Sequence, residues 1–141
     1  MNDRMAYGRR YHYPHMKPAD ILLWELFLDK YPTVYDECIY DFPLGTGATI
    51  PSETQENIAQ GFKLLTQWKA DVVAFRGGFV DVIEVKPNAG ISTIGQVKAY
   101  AQLYDELDES TMPVAPVILT NVIRPDMERL CKLSGVRLVV V

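Results

Sequence analysis

Between Lys69 and Pro87 the chain reads KADVVAFRGGFVDVIEVKP, two apolar runs interrupted by Asp71, Glu84 and Lys86. Gly77-Gly78 supplies the permissive backbone of a two-residue hairpin loop. With that loop Arg76 faces Phe79, Val73 faces Val82, and Asp71 falls opposite Glu84. Side chains alternate along a strand, so Asp71, Glu84 and Lys86 converge on one face. Two opposed carboxylates repel, and burial raises their pKa at a cost of several kcal/mol unless a cation offsets it. Oxygen donors with no Cys or His nearby favour Mg²⁺ or Mn²⁺. Lys86 can complete the balance, orienting or deprotonating water or holding negative charge that develops on a phosphoryl group. The bland alternative is a wet strand face on which the acids pair with Lys69, Lys86 or Arg76. Against it, Val72, Val73, Ala74, Val82, Ile83 and Val85 are apolar on both faces, the mark of central strands. Asp81 falls on the opposite face from Glu84 and is expected near the strand entry, outside the cleft.

The surrounding elements must carry this hairpin. Pro18 and Asp20 begin a helix that runs to Pro32, with Leu22, Leu23, Leu26 and Phe27 at helical spacing. Glu25 lies in it, either solvated or turned toward a cleft. DECIYDFPLG reads as a strand. TGATIPSETQENIAQGF is an excursion between strands, a lid or binding loop, in which Ser52 or Thr54 could cap a short helix over 54–65. After the hairpin come a helix from Ser92 or Thr93, a strand APVILT, a helix RPDMERLCKL and a strand VRLVVV. This alternation predicts an α/β fold, a mixed sheet covered by helices. Residues 1–17, rich in Tyr, Arg, His and Pro, form an arm ahead of a single domain over 18–141.

The 141 residues suit one self-sufficient core. Residues 1–17 carry Arg4, Arg9, Arg10 and Lys17 against Asp3, a net of +3; the remainder carries −7, giving the −4 of the whole. Such a body excludes tight non-specific nucleic-acid binding through a basic face alone; the arm, a divalent metal or a second subunit would have to offset the repulsion. Cys38 and Cys131 have no metal-site spacing and fit a reducing compartment. No apolar run approaches the roughly 20 residues of a membrane span, and no secretory signal is visible, so a cytoplasmic location is expected.

Asp71, a turn, then Glu84-Val85-Lys86 resembles the motif of the PD-(D/E)XK nuclease superfamily, with Ala70 in the place of the family's proline. The element order from Pro18 to Thr120 is similar to the restriction-endonuclease-like core αβββαβ. Gln96 and Tyr100, one turn apart on the following helix, match the Gln-x-x-x-Tyr pair of many members, and Glu25 matches a carboxylate often found on the first helix. The resemblance covers about three quarters of the chain. The spaced acids and lysine gain strength as a motif from the hairpin geometry and the helices around them.

The resemblance implies Mg²⁺-dependent (or Mn²⁺-dependent) hydrolysis of nucleic-acid phosphodiesters, with DNA the expected substrate. It implies that Asp71, Glu84 and the Val85 carbonyl hold the metal and that Lys86 positions or activates water. Glu25 would contact the metal through water, Gln96 would steer Lys86 or the backbone of the nucleic acid, and Tyr100 would do the same or pack. Arg9, Arg10, Arg76 and Tyr100 are the candidate nucleic-acid contacts. The family spans restriction, repair, recombination and viral enzymes, and subunits that kept the fold without the chemistry. The competing expectation is therefore a silent structural or accessory part of a viral particle or processing complex; a third is a non-catalytic nucleic-acid binder. The small size fits a viral or mobile-element member, acting in host cytoplasm or virion. Asn88 and Gly90 shape the cleft rim or simply turn the chain after Pro87. Trp24 belongs to the core, while Trp68 at a strand start is open to either core or base stacking. The acids of YDELDE end a solvated helix, and VRLVVV is an interior strand or an edge able to pair with another copy.

Overall fold

The computed structural model describes residues 4–49, 56–107 and 110–141. Its elements run β1 (Met5–Ala6), α1 (Pro18–Lys30), β2 (Glu37–Leu44), α2 (Glu56–Thr66), β3 (Trp68–Arg76), β4 (Phe79–Val85), α3 (Ser92–Leu107), β5 (Val114–Thr120), α4 (Pro125–Ser134) and β6 (Arg137–Val140). Ser52, Thr54, Asp108 and Glu109 lie outside the described residues.

The six strands form one mixed sheet in the order β1-β2-β3-β4-β5-β6. The first four pair antiparallel and the last three pair parallel, through the crossovers that α3 and α4 provide. The β3–β4 hairpin turns on Gly77, whose φ of +52° favours a residue without a Cβ. Its rungs run from Arg76–Phe79 to Val72–Ile83, which is the register expected from a two-residue loop.

One layer of the core lies between α1 and the sheet. Leu23, Trp24, Phe27 and Leu28 pack there on Tyr40, Val72, Ile83 and Leu119. The helix is apolar nearly all round, so spacing alone does not select its inner face: Leu22 and Leu26 stay exposed while Leu23 and Phe27 are buried. Pro18 opens it, and Asp20 caps it by accepting the Lys17 N–H at 3.2 Å. On the other face, Tyr100, Ala101 and Tyr104 of α3 cover Val73, Val80 and Val82. Met127 and Cys131 of α4 join Val97 and Ile118 in a third cluster. Gly135, at φ +72°, ends α4.

Residues 4–17 are tied to this body. Met5 pairs with Cys38 at the sheet edge, Tyr13 is buried, and the Arg4 guanidinium stacks 3.8 Å from the Phe75 ring centre. Cys38 and Cys131 are both buried and unbridged. Among the described residues no helix is long and apolar enough to cross a membrane.

Candidate active site

Where β3 begins and β4 ends, the two strands bring Asp71 and Glu84 together. The Oδ2 of Asp71 accepts the Val85 N–H at 2.9 Å, and Glu84 Oε1 accepts the Asp71 N–H at 3.4 Å. Glu84 is 6% exposed, the deepest acid of this end of the sheet. Burial pushes Glu84 up to about 9, the neighbouring Asp71 charge adds to the rise, and Lys86 opposes it. Burial likewise pushes Asp71 up to about 6, against the Val85 hydrogen bond, with the charges of Asp20 and Asp41 adding to the rise. The two titrate as a pair and hold on to a proton that isolated carboxyls would release.

Lys86 follows Glu84 by two residues and is exposed, and its positive charge lowers the pKa of Glu84. Its backbone is fixed: Lys86 N–H donates to Leu119 O at 2.8 Å. The turn behind it is held by β5 and the residue after it, with Ala89 N–H on Thr120 Oγ1 at 3.0 Å and Asn88 N–H on Asn121 Oδ1 at 2.8 Å. Arg124 also donates to the Asn88 side chain. Asn88 sits at φ +51°, a conformation asparagine tolerates better than most residues. Gly90 is exposed beside it.

Tyr100 enters from α3. Burial raises its pKa, the Gln96 hydrogen bond lowers it, and the Glu84 and Asp71 charges raise it further, which puts the phenol within reach of the acids' field. Gln96 Nε2 donates to Tyr100 Oη at 3.2 Å. Thus Asp71, Glu84, Lys86, Gln96 and Tyr100 gather at one end of the sheet.

The remaining candidates lie elsewhere or are engaged. Glu25 accepts from Tyr13 Oη at 3.2 Å and lies 3.5 Å from Arg9 Nη1. The α1 carboxylate whose charge bears on Asp71 is Asp20. Five residues separate the two, which is about 140° around a helix, so they cannot face the same way. Arg9 makes a two-pronged bond to Asp29, 3.1 and 2.7 Å. Arg10 donates to Ala6 O at 2.7 Å. Arg76 is at the hairpin tip, about 17 Å of strand away from Asp71. Asp81 is 3% exposed, accepts the Tyr35 hydroxyl at 2.6 Å and pairs with Arg137. That pairing explains an acid on the α1 face of β4.

Sequence reasoning did not find Asp41. Its carboxylate lies 3.3 Å from His15 Nε2 and 3.8 Å from Lys69 Nζ. Asp41 and His15 both sit at positive φ, +54° and +57°. The Asp71 partner in β2 follows from the β2–β3 register, and the long excursion between those strands hides that register from sequence.

Among the described residues no group of three or more His, Cys, Asp or Glu forms a metal-holding cluster. The donor chemistry at Asp71 and Glu84 nevertheless fits a hard divalent ion: two adjacent carboxyl groups whose oxygens would exchange their retained proton for a cation. Mg²⁺ in particular is commonly held by one or two carboxylates, with water and substrate oxygens completing its shell. Compared with protein-family models, curated proteins and solved structures, the chain matches none.

Proposed function

We propose that the protein is a divalent-metal-dependent nuclease of the PD-(D/E)XK type, hydrolysing phosphodiester bonds of nucleic acid, with DNA the preferred candidate. The observation that carries this reading is the Asp71–Glu84 pair, Glu84 buried and Asp71 half-buried, with Lys86 two residues on. The order α1, β2, β3, β4, α3, β5, with α2 inserted after β2, supports a restriction-endonuclease-like core. Asp71, Glu84 and the Val85 carbonyl would hold Mg²⁺ or Mn²⁺, which supplies Lewis acidity at the phosphate and a more acidic water. Lys86 orients the attacking water and meets negative charge as it develops on the phosphate. Gln96 and Tyr100 fix that end of the cleft from α3. Release of the proton shared by the acids on metal loading makes activity rise with pH.

One observation favours the second reading, a silent accessory subunit of a viral or nucleic-acid-processing assembly. Asp20 and Asp41 add negative charge around the pair, in a body already at −7 beyond residue 17. Such a field repels phosphate unless a cation is bound. β6 forms one edge of the sheet, and pairing there with a second copy or another subunit would fit either reading.

The deciding experiment incubates plasmid, single-stranded DNA and RNA with and without Mg²⁺ or Mn²⁺, alongside Glu84→Gln and Lys86→Ala. Metal-dependent cutting lost in both variants is the expected result. No cutting of any substrate with either metal rules out the nuclease and leaves the accessory subunit.

A further inference from the structure

We infer that the indole of Trp68 is a stacking platform for an unpaired base next to the acid pair. The inference rests on the nuclease reading and narrows its substrate to single-stranded or locally unpaired nucleic acid. Trp68 opens β3 on the rung with Leu44, three residues before Asp71. It is 59% exposed, whereas Trp24, the other tryptophan, is 0% exposed in the core. An indole left in water at the head of a central strand forgoes a large burial gain, so a ligand that covers it recovers that gain.

The ring borders a cavity of about 340 Å³ whose wall is Trp68 with Gln96, Ala99, Tyr100 and Leu103 of α3. That is in the size range of small-molecule sites, about 300–1,000 Å³. The end of β2 packs beside the indole: a Cβ on Gly45 would meet Trp68 Cε3 at 3.8 Å and Leu103 at 3.7 Å. Gly45 stands at φ +72°, and its carbonyl accepts Gln67 Nε2 at 2.8 Å, so the loop beside the ring is anchored.

The chemistry of the wall selects the occupant. It carries no charge, so it suits the neutral base of a nucleotide and leaves the phosphate to the acid pair and its cation. Gln96 offers an amide to a base edge. The wall is shared with the site: Tyr100, which feels the charges of Glu84 and Asp71, lines the cavity too. Three strand residues span about 10 Å, the reach of a base beside a phosphate held at Asp71. Bases stacked inside a duplex cannot present a face to the ring, which is why an unpaired one is required.

The test is tryptophan emission of the full chain during titration with a short oligothymidylate or a matched blunt duplex, in buffer with Mg²⁺ and without it. It uses the Glu84→Gln background, where one negative charge is gone and no turnover consumes the probe. Because Trp24 is buried, quenching by the oligonucleotide reports Trp68. The expected result is quenching by the single strand only and, read from the anisotropy of a dye-labelled oligothymidylate because the variants lack the reporting indole, affinity about tenfold or more weaker in Trp68→Ala and restored in part by Trp68→Phe. Equal single-strand affinity in Trp68→Ala, or equal quenching by duplex, overturns the inference. Cutting in the plasmid assay is read separately: cutting with unchanged Trp68→Ala binding sinks the platform alone, and quenching without cutting sinks the nuclease alone.

Discussion

Beyond the Val72–Ile83 rung, Asp71 and Glu84 join β3 to β4 with side chains, each carboxylate accepting a backbone N–H from the other's strand. The acids thus close the end of the ladder and also build the candidate site. Their burial is a standing strain on the metal-free fold, since desolvation and mutual repulsion outweigh the support that the Val85 and Asp71 N–H groups and Lys86 give to their charge.

This sets the pH dependence of stability. Both folded pKa values are raised above those of the unfolded chain, so the folded state binds more protons between about pH 4 and the folded values. The stability these groups contribute is complete below the unfolded values. It is lost as pH rises through about 6 for Asp71 and about 9 for Glu84. Metal-free thermal unfolding should therefore give a lower Tm at about pH 8.5 than at about pH 5. Glu84→Gln should flatten that slope and exceed the wild type at the higher pH. Mg²⁺ should raise the wild-type Tm more at the higher pH, because it competes with protons for the same oxygens. A wild-type profile that rises with pH across this window contradicts the buried pair.

Lys86 is exposed and its backbone carries the ladder, so Lys86→Ala should change stability by no more than about 0.5 kcal/mol. On the nuclease reading the same substitution lowers cutting by about a hundredfold or more. The Mg²⁺-induced rise in Tm should persist, since both carboxylates remain. Loss of the Tm response together with activity would move Lys86 from catalysis to metal binding.

The Asp81–Arg137 pair predicts an asymmetry. Asp81's side chain is 4% exposed and Arg137's is 45%. Removing the arginine strands a buried carboxylate that keeps only the Tyr35 hydroxyl, whereas removing the acid lets the guanidinium swing into water. Arg137→Met should cost about 2–3 kcal/mol in urea unfolding, and Asp81→Asn distinctly less. The reverse order would show that the guanidinium, rather than the carboxylate, is the more deeply buried partner.

The hairpin and the opposition of its acids were readable from sequence because a two-residue glycine loop fixes register, although β3 turns its faces over between Ala70 and Val72, which alternation does not foresee. The helices and parallel strands followed from punctuation by Pro18, Ser92, Pro125 and Gly135. What stayed hidden depends on contacts between distant segments. The inner face of α1 is one case, since leucines surround it. The choice between Asp20 and Glu25 is another, because it depends on the angle at which the helix meets the sheet. Asp81 needed its partner from β6, 56 residues away. The pairing of Met5 with Cys38 likewise gave no sign in a short polar arm.

Asp41 combines both kinds of hidden feature. It lies across from Asp71, between the rungs Tyr40–Val72 and Phe42–Ala70. On one side of it Cys38 and Tyr40 face the α1 layer; on the other Phe42 and Leu44 face the α3 layer. β3 does the same, with Val72 and Ala74 toward α1 and Ala70 toward α3. A regular strand would keep residues two apart on one side, so the φ of +54° at Asp41 is where β2 turns its faces over. A residue with a Cβ is strained there by about 1–2 kcal/mol, and aspartate offsets part of this through its short polar side chain. Here that side chain reaches His15 and Lys69. Asp41→Ala loses those partners and keeps the strain; Asp41→Gly loses the same partners and relieves it. Urea unfolding should therefore find the glycine variant more stable than the alanine variant by about 1 kcal/mol. Equal midpoints would mean that the backbone at residue 41 relaxes out of the left-handed region, and the turnover of β2 beside Asp71 would relax with it.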